Sequence, residues 1–91
     1  TLIPTDYSVH NIYPNPFNPV ATISIAIPEY DKISIHIYDF NGRLAAALLN
    51  EYLNPGYYSI TWDAADAASG IYFAYVDFGS KSISRKLTLI K

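Results

Sequence analysis

Apolar residues recur at every second position along most of this chain. Ala21 to Ile27 sets Ile23, Ile25 and Ile27 against Thr22, Ser24 and Ala26, and Lys32 to Tyr38 sets Ile33, Ile35 and Ile37 against Ser34, His36 and Tyr38. A period of two puts successive side chains on opposite faces of an extended strand, so each run predicts a half-buried strand with its isoleucines inward. Pro28-Glu29-Tyr30-Asp31 reads as the turn between them. Tyr57 to Asp63 alternates in the same way, with Tyr58, Ile60 and Trp62 as one face. Ile71 to Phe78 is apolar on both faces, the pattern of a central strand. The last run turns Ile83, Leu87 and Leu89 inward. No stretch carries a helical stripe.

Turn residues punctuate these runs. Asn41-Gly42 is the strongest hairpin signal, since a type I′ turn needs positive φ at both central residues; it joins the Ile33 strand to Arg43–Leu49. The three alanines of that third run let a short helix compete there, but the turn before it and Asn54-Pro55-Gly56 after it favour a strand. Gly70 opens the central strand, and Gly79-Ser80 turns into the last one. The expected total is six strands of 6 to 10 residues, with Tyr7 to Ile12 as a candidate seventh. Turns every 8 to 12 residues then predict an all-β fold, an immunoglobulin-like antiparallel β-sandwich of about seven strands. Residues 1–11 read as the end of a linker plus the candidate first strand, and 12–91 as the sandwich.

Tyr13-Pro14-Asn15-Pro16-Phe17-Asn18-Pro19 holds three of the six prolines in seven residues. Proline fixes its own φ and biases the preceding residue toward extended conformations, so most of this strip is set before any tertiary contact forms. Lacking donors at three positions, it cannot lie in mid-sheet. The expectation is a stiff leading strip that clips onto the following domain through Tyr13 and Phe17 and holds it apart from whatever precedes it.

The chain is 51% hydrophobic and 15% charged, too apolar for disorder. Its nine tyrosines and four phenylalanines favour β-structure. The absence of cysteine removes thiol chemistry, thiolate metal sites and disulfides. The longest apolar runs, Leu44 to Leu49 and Ile71 to Val76, fall far short of the ~20 residues that span a bilayer, so no membrane-embedded segment is expected. A net charge of −2 argues against nucleic acid as a partner. Thr1 in place of Met suggests a piece of something longer. Lys81, Arg85, Lys86 and Lys91 are four of the six cations, and none of the eight acids follows Asp77. This basic stripe is what a solvated edge strand, kept from pairing by its lysines, would show.

Candidate chemistry is thin. His10 and His36 are the only histidines, and His36 alternates with isoleucines and so points to solvent. Asp63 and Asp66 could pair as acid and base, but Trp-Asp at a strand end is more simply a turn carboxylate bonding nearby N–H groups. Asp63 with Asp66, or Asp31 with Asp39, would offer too few oxygens for Ca²⁺, which takes 6 to 8. No cofactor, metal or catalytic site is expected. Tyr38, Tyr57, Phe73 and Tyr75 fall on outward faces and could stack on sugar rings, or simply cover the outer sheet. Trp62 reads as core. The proline-rich strip could serve as bait for a proline-binding domain, but its aromatics favour docking on its own sandwich.

Taken in order, these elements resemble a known family. The strip Tyr13-Pro14-Asn15-Pro16-Phe17-Asn18-Pro19 leads into a strand, followed by Ile37-Tyr38-Asp39-Phe40-Asn41-Gly42-Arg43. Gly56 to Asp63 then ends in Trp-Asp, Ser69-Gly70-Ile71-Tyr72-Phe73 comes next, and Arg85-Lys86-Leu87-Thr88-Leu89-Ile90-Lys91 closes. The ordered set, over residues 12 to 91, resembles the type A C-terminal sorting domain of the bacterial type IX secretion system. The resemblance implies a non-enzymatic address label at the end of a larger exported protein, with its cargo N-terminal in the same chain. It implies recognition by the outer-membrane type IX translocon and removal by a sortase-like peptidase. The cargo would pass through the periplasm and be anchored at the cell surface or released. Pro14, Asn15 and Pro16 of the strip, Gly70 and Tyr72 of the central strand, and Lys86 and Lys91 of the terminal strand are the candidate recognition residues. The terminal edge strand could be read by strand addition. The pattern is also similar to the immunoglobulin-like domain of flagellar hook-capping proteins and to accessory modules of extracellular enzymes, so a carbohydrate-binding or purely structural module stays open as the alternative.

Overall fold

A computed structural model describes residues 4–10, 12–79 and 81–91. The alternating runs form β1 (Ser8–Val9), β2 (Val20–Ile27), β3 (Asp31–Asp39), β4 (Leu44–Leu53), β5 (Gly56–Asp63), β6 (Gly70–Asp77) and β7 (Ser82–Leu89). They pair antiparallel in two sheets, β1-β2-β5 and β4-β3-β6-β7, the expected immunoglobulin-like sandwich. The inward isoleucines do the work assigned to them: Ile23, Ile25, Ile27, Ile33, Ile35 and Ile37 are fully buried between the sheets. Val76, Leu87 and Leu89 meet them from β6 and β7, and Trp62 is buried as read. β6 lies between β3 and β7, so its doubly apolar pattern does mark a central strand.

Three expectations need correction. The Asn41-Gly42 turn is not type I′, because Asn41 does not have positive φ; among the described residues only glycines do. Instead the Gly42 N–H bonds the Asp39 carbonyl at 3.0 Å and Gly42 alone takes φ +83. This is a longer hairpin loop with its glycine in the left-handed position. The Asp39 carboxylate decides the matter by accepting from the N–H groups of both Asn41 and Arg43, each at 2.9 Å.

The third run is a strand, but it starts one residue later than read and continues to Leu53. Its register against β3 slips twice, leaving Leu48 and Ala45 unmatched. Each slip is a bulge that shifts the inward positions by one. Leu53 and Leu49 therefore pack on the core from odd positions, and Leu48 and Ala46 from even ones.

The proline-rich strip is not a spacer ahead of the domain. Tyr7 and Val9, before it, already pack on the core. β1 falls inside the candidate first strand, of which Asn11 lies outside the described residues, as does Ser80 of the Gly79-Ser80 turn. The strip is the β1–β2 connection, and it crosses from one sheet to the other. At its start Tyr13 pairs with Thr22 of β2, and at its end the Pro19 carbonyl accepts from Ala64 N–H at 2.8 Å. Between these anchors Phe17 bridges to Leu89 of β7.

Candidate recognition surface

The strip and the terminal strand form one bonded seam. Phe17 donates its N–H to the Thr88 carbonyl at 2.9 Å, and its carbonyl accepts from Ile90 N–H at 3.0 Å. Two residues earlier, Pro14 and Pro16 flank a residue whose side chain takes over the same job. The Asn15 amide donates to the Lys86 carbonyl and accepts from Thr88 N–H, both at 3.1 Å. A primary amide has one acceptor and one donor group in the arrangement of a peptide unit, so Asn15 acts as a short strand where proline leaves the backbone without donors. The Phe17 ring, 2% exposed, packs 5.5 Å from Trp62 in the core. Tyr13 contributes backbone only, since its side chain is 57% exposed.

Further along β7 the same seam is laced by cations. Arg85 donates to the Val9 carbonyl at 3.4 Å and to the Ser84 carbonyl at 3.1 Å, and the Lys81 ammonium reaches the Tyr7 carbonyl at 3.5 Å. A groove of about 400 Å³ opens here between Ile12, Tyr13, Asn15, Arg85 and Lys86. Lys86 is exposed beside Phe73 in the ladder.

Gly70, Tyr72 and Lys91 gather at the other end of β7, where Gly70 pairs with Leu89 and Tyr72 with Leu87. The Tyr72 ring is buried against Trp62, centroids 5.1 Å apart, and its hydroxyl donates 2.6 Å to the Ala68 carbonyl four residues back. Gly70 sits inside that arch at φ +153. A Cβ there would find no atom within 4 Å, so backbone conformation alone demands glycine. The same device recurs at β5: Gly56 at φ +154 and Tyr58 donating 2.7 Å to Asn54. Lys91 donates its backbone N–H to Ser69 Oγ at 3.0 Å and its ammonium to the Ala65 carbonyl. The structure thus brings Asn15 and Lys86 together at one part of the seam, and Gly70, Tyr72 and Lys91 at the next.

Elsewhere the chemistry-bearing residues serve the fold. Asp63 accepts from Ala65 N–H at 3.1 Å, the turn role expected of it, and Asp77 does the same for Gly79 at 2.8 Å. The Tyr7 hydroxyl donates to Asp31 at 2.9 Å and approaches Glu29 at 3.3 Å. Desolvation, then the hydrogen bond and charge of Asp31 with those of Glu29, push its pKa up to about 12. His10 is exposed beside Tyr57, whereas His36 lies on the outer face of the four-stranded sheet. Tyr38, Phe73 and Tyr75 share that outer face and, with Phe40, line an open groove of about 390 Å³. Tyr38 and Tyr75 stand at 86° to each other, and Tyr57 belongs to the other sheet, so the four rings do not form one flat row.

The sequence singles out Asn15 by its place in the strip but does not show the two bonds its amide makes to β7. Nor does it show the bonds of Lys81 and Arg85 to β1 and the residues beside it. Arg85 left a signal, since it occupies an inward-parity position between Ile83 and Leu87.

The fold recurs in a solved structure, the crystal structure of dimeric latent PorU from Porphyromonas gingivalis, at TM-score 0.66 and 22% identity. That match covers 98% of this chain and 10% of the PorU chain, so this chain spans about a tenth of that protein. No curated protein matches the chain. Residues 11–91 match the family of the secretion system C-terminal sorting domain, a span that takes in the strip, the crossing to β7 and every strand from β2 onward. The chain belongs to the secretion system C-terminal sorting domain family.

Proposed function

We propose that this type IX sorting signal is recognised as a folded object by the outer-membrane translocon. A sortase-like peptidase then separates it from a cargo domain fused on its N-terminal side, as the cargo is anchored at the surface or released. The observation that carries this is the seam. Residues 13–17 and 86–90, far apart in sequence, are joined by four hydrogen bonds, two from the Phe17 backbone and two from the Asn15 amide. A reader of this surface meets both only when the domain is folded, which supports shape over linear sequence as the signal. A sorting signal is not itself catalytic, and no step of chemistry is assigned to this one. Of the candidate residues, Pro14 and Pro16 hold Asn15 in place, Gly70 and Tyr72 build the arch, and Lys91 clasps the Ala65 loop; Lys86, exposed on the outer face, is the one left to contact the machinery.

The test is a periplasmic reporter fused ahead of residues 1–91 in a type IX-competent host. The expected result is reporter at the surface or in the medium, with the domain recovered as a separate fragment. A folded, uncleaved fusion held in the periplasm would count against the reading.

A further inference from the structure

We infer that the uncovered part of the β7 edge, Ser82 to Lys86, is a strand-addition site for an acidic, extended segment of the export machinery. The partner follows from the sorting role proposed above; the site follows from the backbone. Ser84 O, Lys86 O, Thr88 N and Thr88 O all bond away from β6, to Arg85, Asn15 and Phe17. In an antiparallel ladder the outward groups belong to alternate residues. The N–H groups of Ser82, Ser84 and Lys86 and the carbonyl of Ser82 therefore face the same way. The strip's bonds end at Lys86 O, and among the described residues none reaches these groups. At about 3.4 Å per residue the open edge is roughly 14 Å long, room for a short added strand.

Charge selects the partner. Lys81, Arg85 and Lys86 all lie on or beside this stretch, in a chain whose eight acids all precede Phe78. The contacts of Lys81 and Arg85 to the Tyr7 and Val9 carbonyls are long, 3.5 and 3.4 Å, so an incoming carboxylate competes with weak bonds. The opposite edge of the same sheet differs. Outer strand β4 carries two bulges and places Glu51, exposed, at a register position opposite the inward Ile33, both devices that block pairing. The β7 ladder carries no bulge, and the charge at its one inward-parity position, Arg85, is turned along the edge onto the Ser84 and Val9 carbonyls.

Proline isolates the bond in question. Ser84→Pro deletes only an outward N–H and spares the β6 ladder, a position where an edge strand tolerates proline. In the reporter fusion, Ser84→Pro should stay folded by its thermal transition yet lower export about tenfold, as losing one bond to a partner implies. Ser84→Ala, which keeps the N–H, should export as the unsubstituted domain does, and Lys86→Glu should lower export by a similar factor. If Ser84→Pro does not fold, Ser82→Pro makes the same deletion one pair away. Normal export by a folded proline variant overturns strand addition, including the outcome in which Lys86→Glu alone fails, which would mean a contact through charge only. If the unsubstituted fusion is not exported, the sorting role fails first and this partner with it.

Discussion

Replacing Phe17 by alanine tests whether the strip is part of the fold. Its ring is 2% exposed and packs 5.5 Å from Trp62, while its two backbone bonds to β7 do not depend on the side chain. The loss is therefore packing. Truncating a buried phenylalanine costs about 3–5 kcal/mol, and a tilted aromatic partner places this site above the bottom of that range. A domain of this size has roughly 5–10 kcal/mol in total, so half of it would go. At about 4–8 °C per kcal/mol, the melting temperature should fall by roughly 15–30 °C. Trp62 is the only tryptophan and lies against the ring, so its fluorescence in a urea titration reads the loss directly. The midpoint should drop with an unchanged slope. Tyr13→Ala is the control in the same strip: its side chain is 57% exposed, and it should cost about 0.5 kcal/mol or less. A Phe17→Ala cost below about 1 kcal/mol, or equal costs for the two variants, would refute the packing argument.

Other consequences are simpler to check. Asn15→Ala removes both amide bonds to β7 and should destabilise by about 1–2 kcal/mol, with faster amide exchange at Thr88. Tyr72→Phe deletes the hydroxyl bond to Ala68 and should cost about 1 kcal/mol in the same urea assay. Gly70→Ala meets no atom but holds φ +153, so strain alone should cost about 1–3 kcal/mol. Tyr7 ionises near pH 10 unfolded and near 12 folded. Its contribution is thus complete below pH 10 and lost as pH rises through 12. Stability measured from pH 9 to 12 should fall more steeply in the parent than in Tyr7→Phe.

What could be read from the sequence is what depends on side-chain burial. The isoleucine ladders of β2 and β3 named their inward faces because a strand with one buried face must alternate. β4 resisted because bulges at Leu48 and Ala45 change its parity midway, and a bulge leaves only a run without alternation. The Asn41-Gly42 turn type depended on the Asp39 carboxylate, three residues before the glycine, claiming two backbone donors. The seam was the least legible part. Strand edges bond through the backbone, which is the same for every residue, so nothing in the strip named β7 as its neighbour. Asn15 stood out only as the polar residue between two prolines.

The folded sandwich as the signal is tested most directly by exporting the Phe17→Ala fusion between the two melting temperatures. The unsubstituted domain should carry the reporter out, and the variant, unfolded there yet identical at every other residue, should leave it in the periplasm. Equal export of both would contradict recognition of the folded form and point to a linear motif instead.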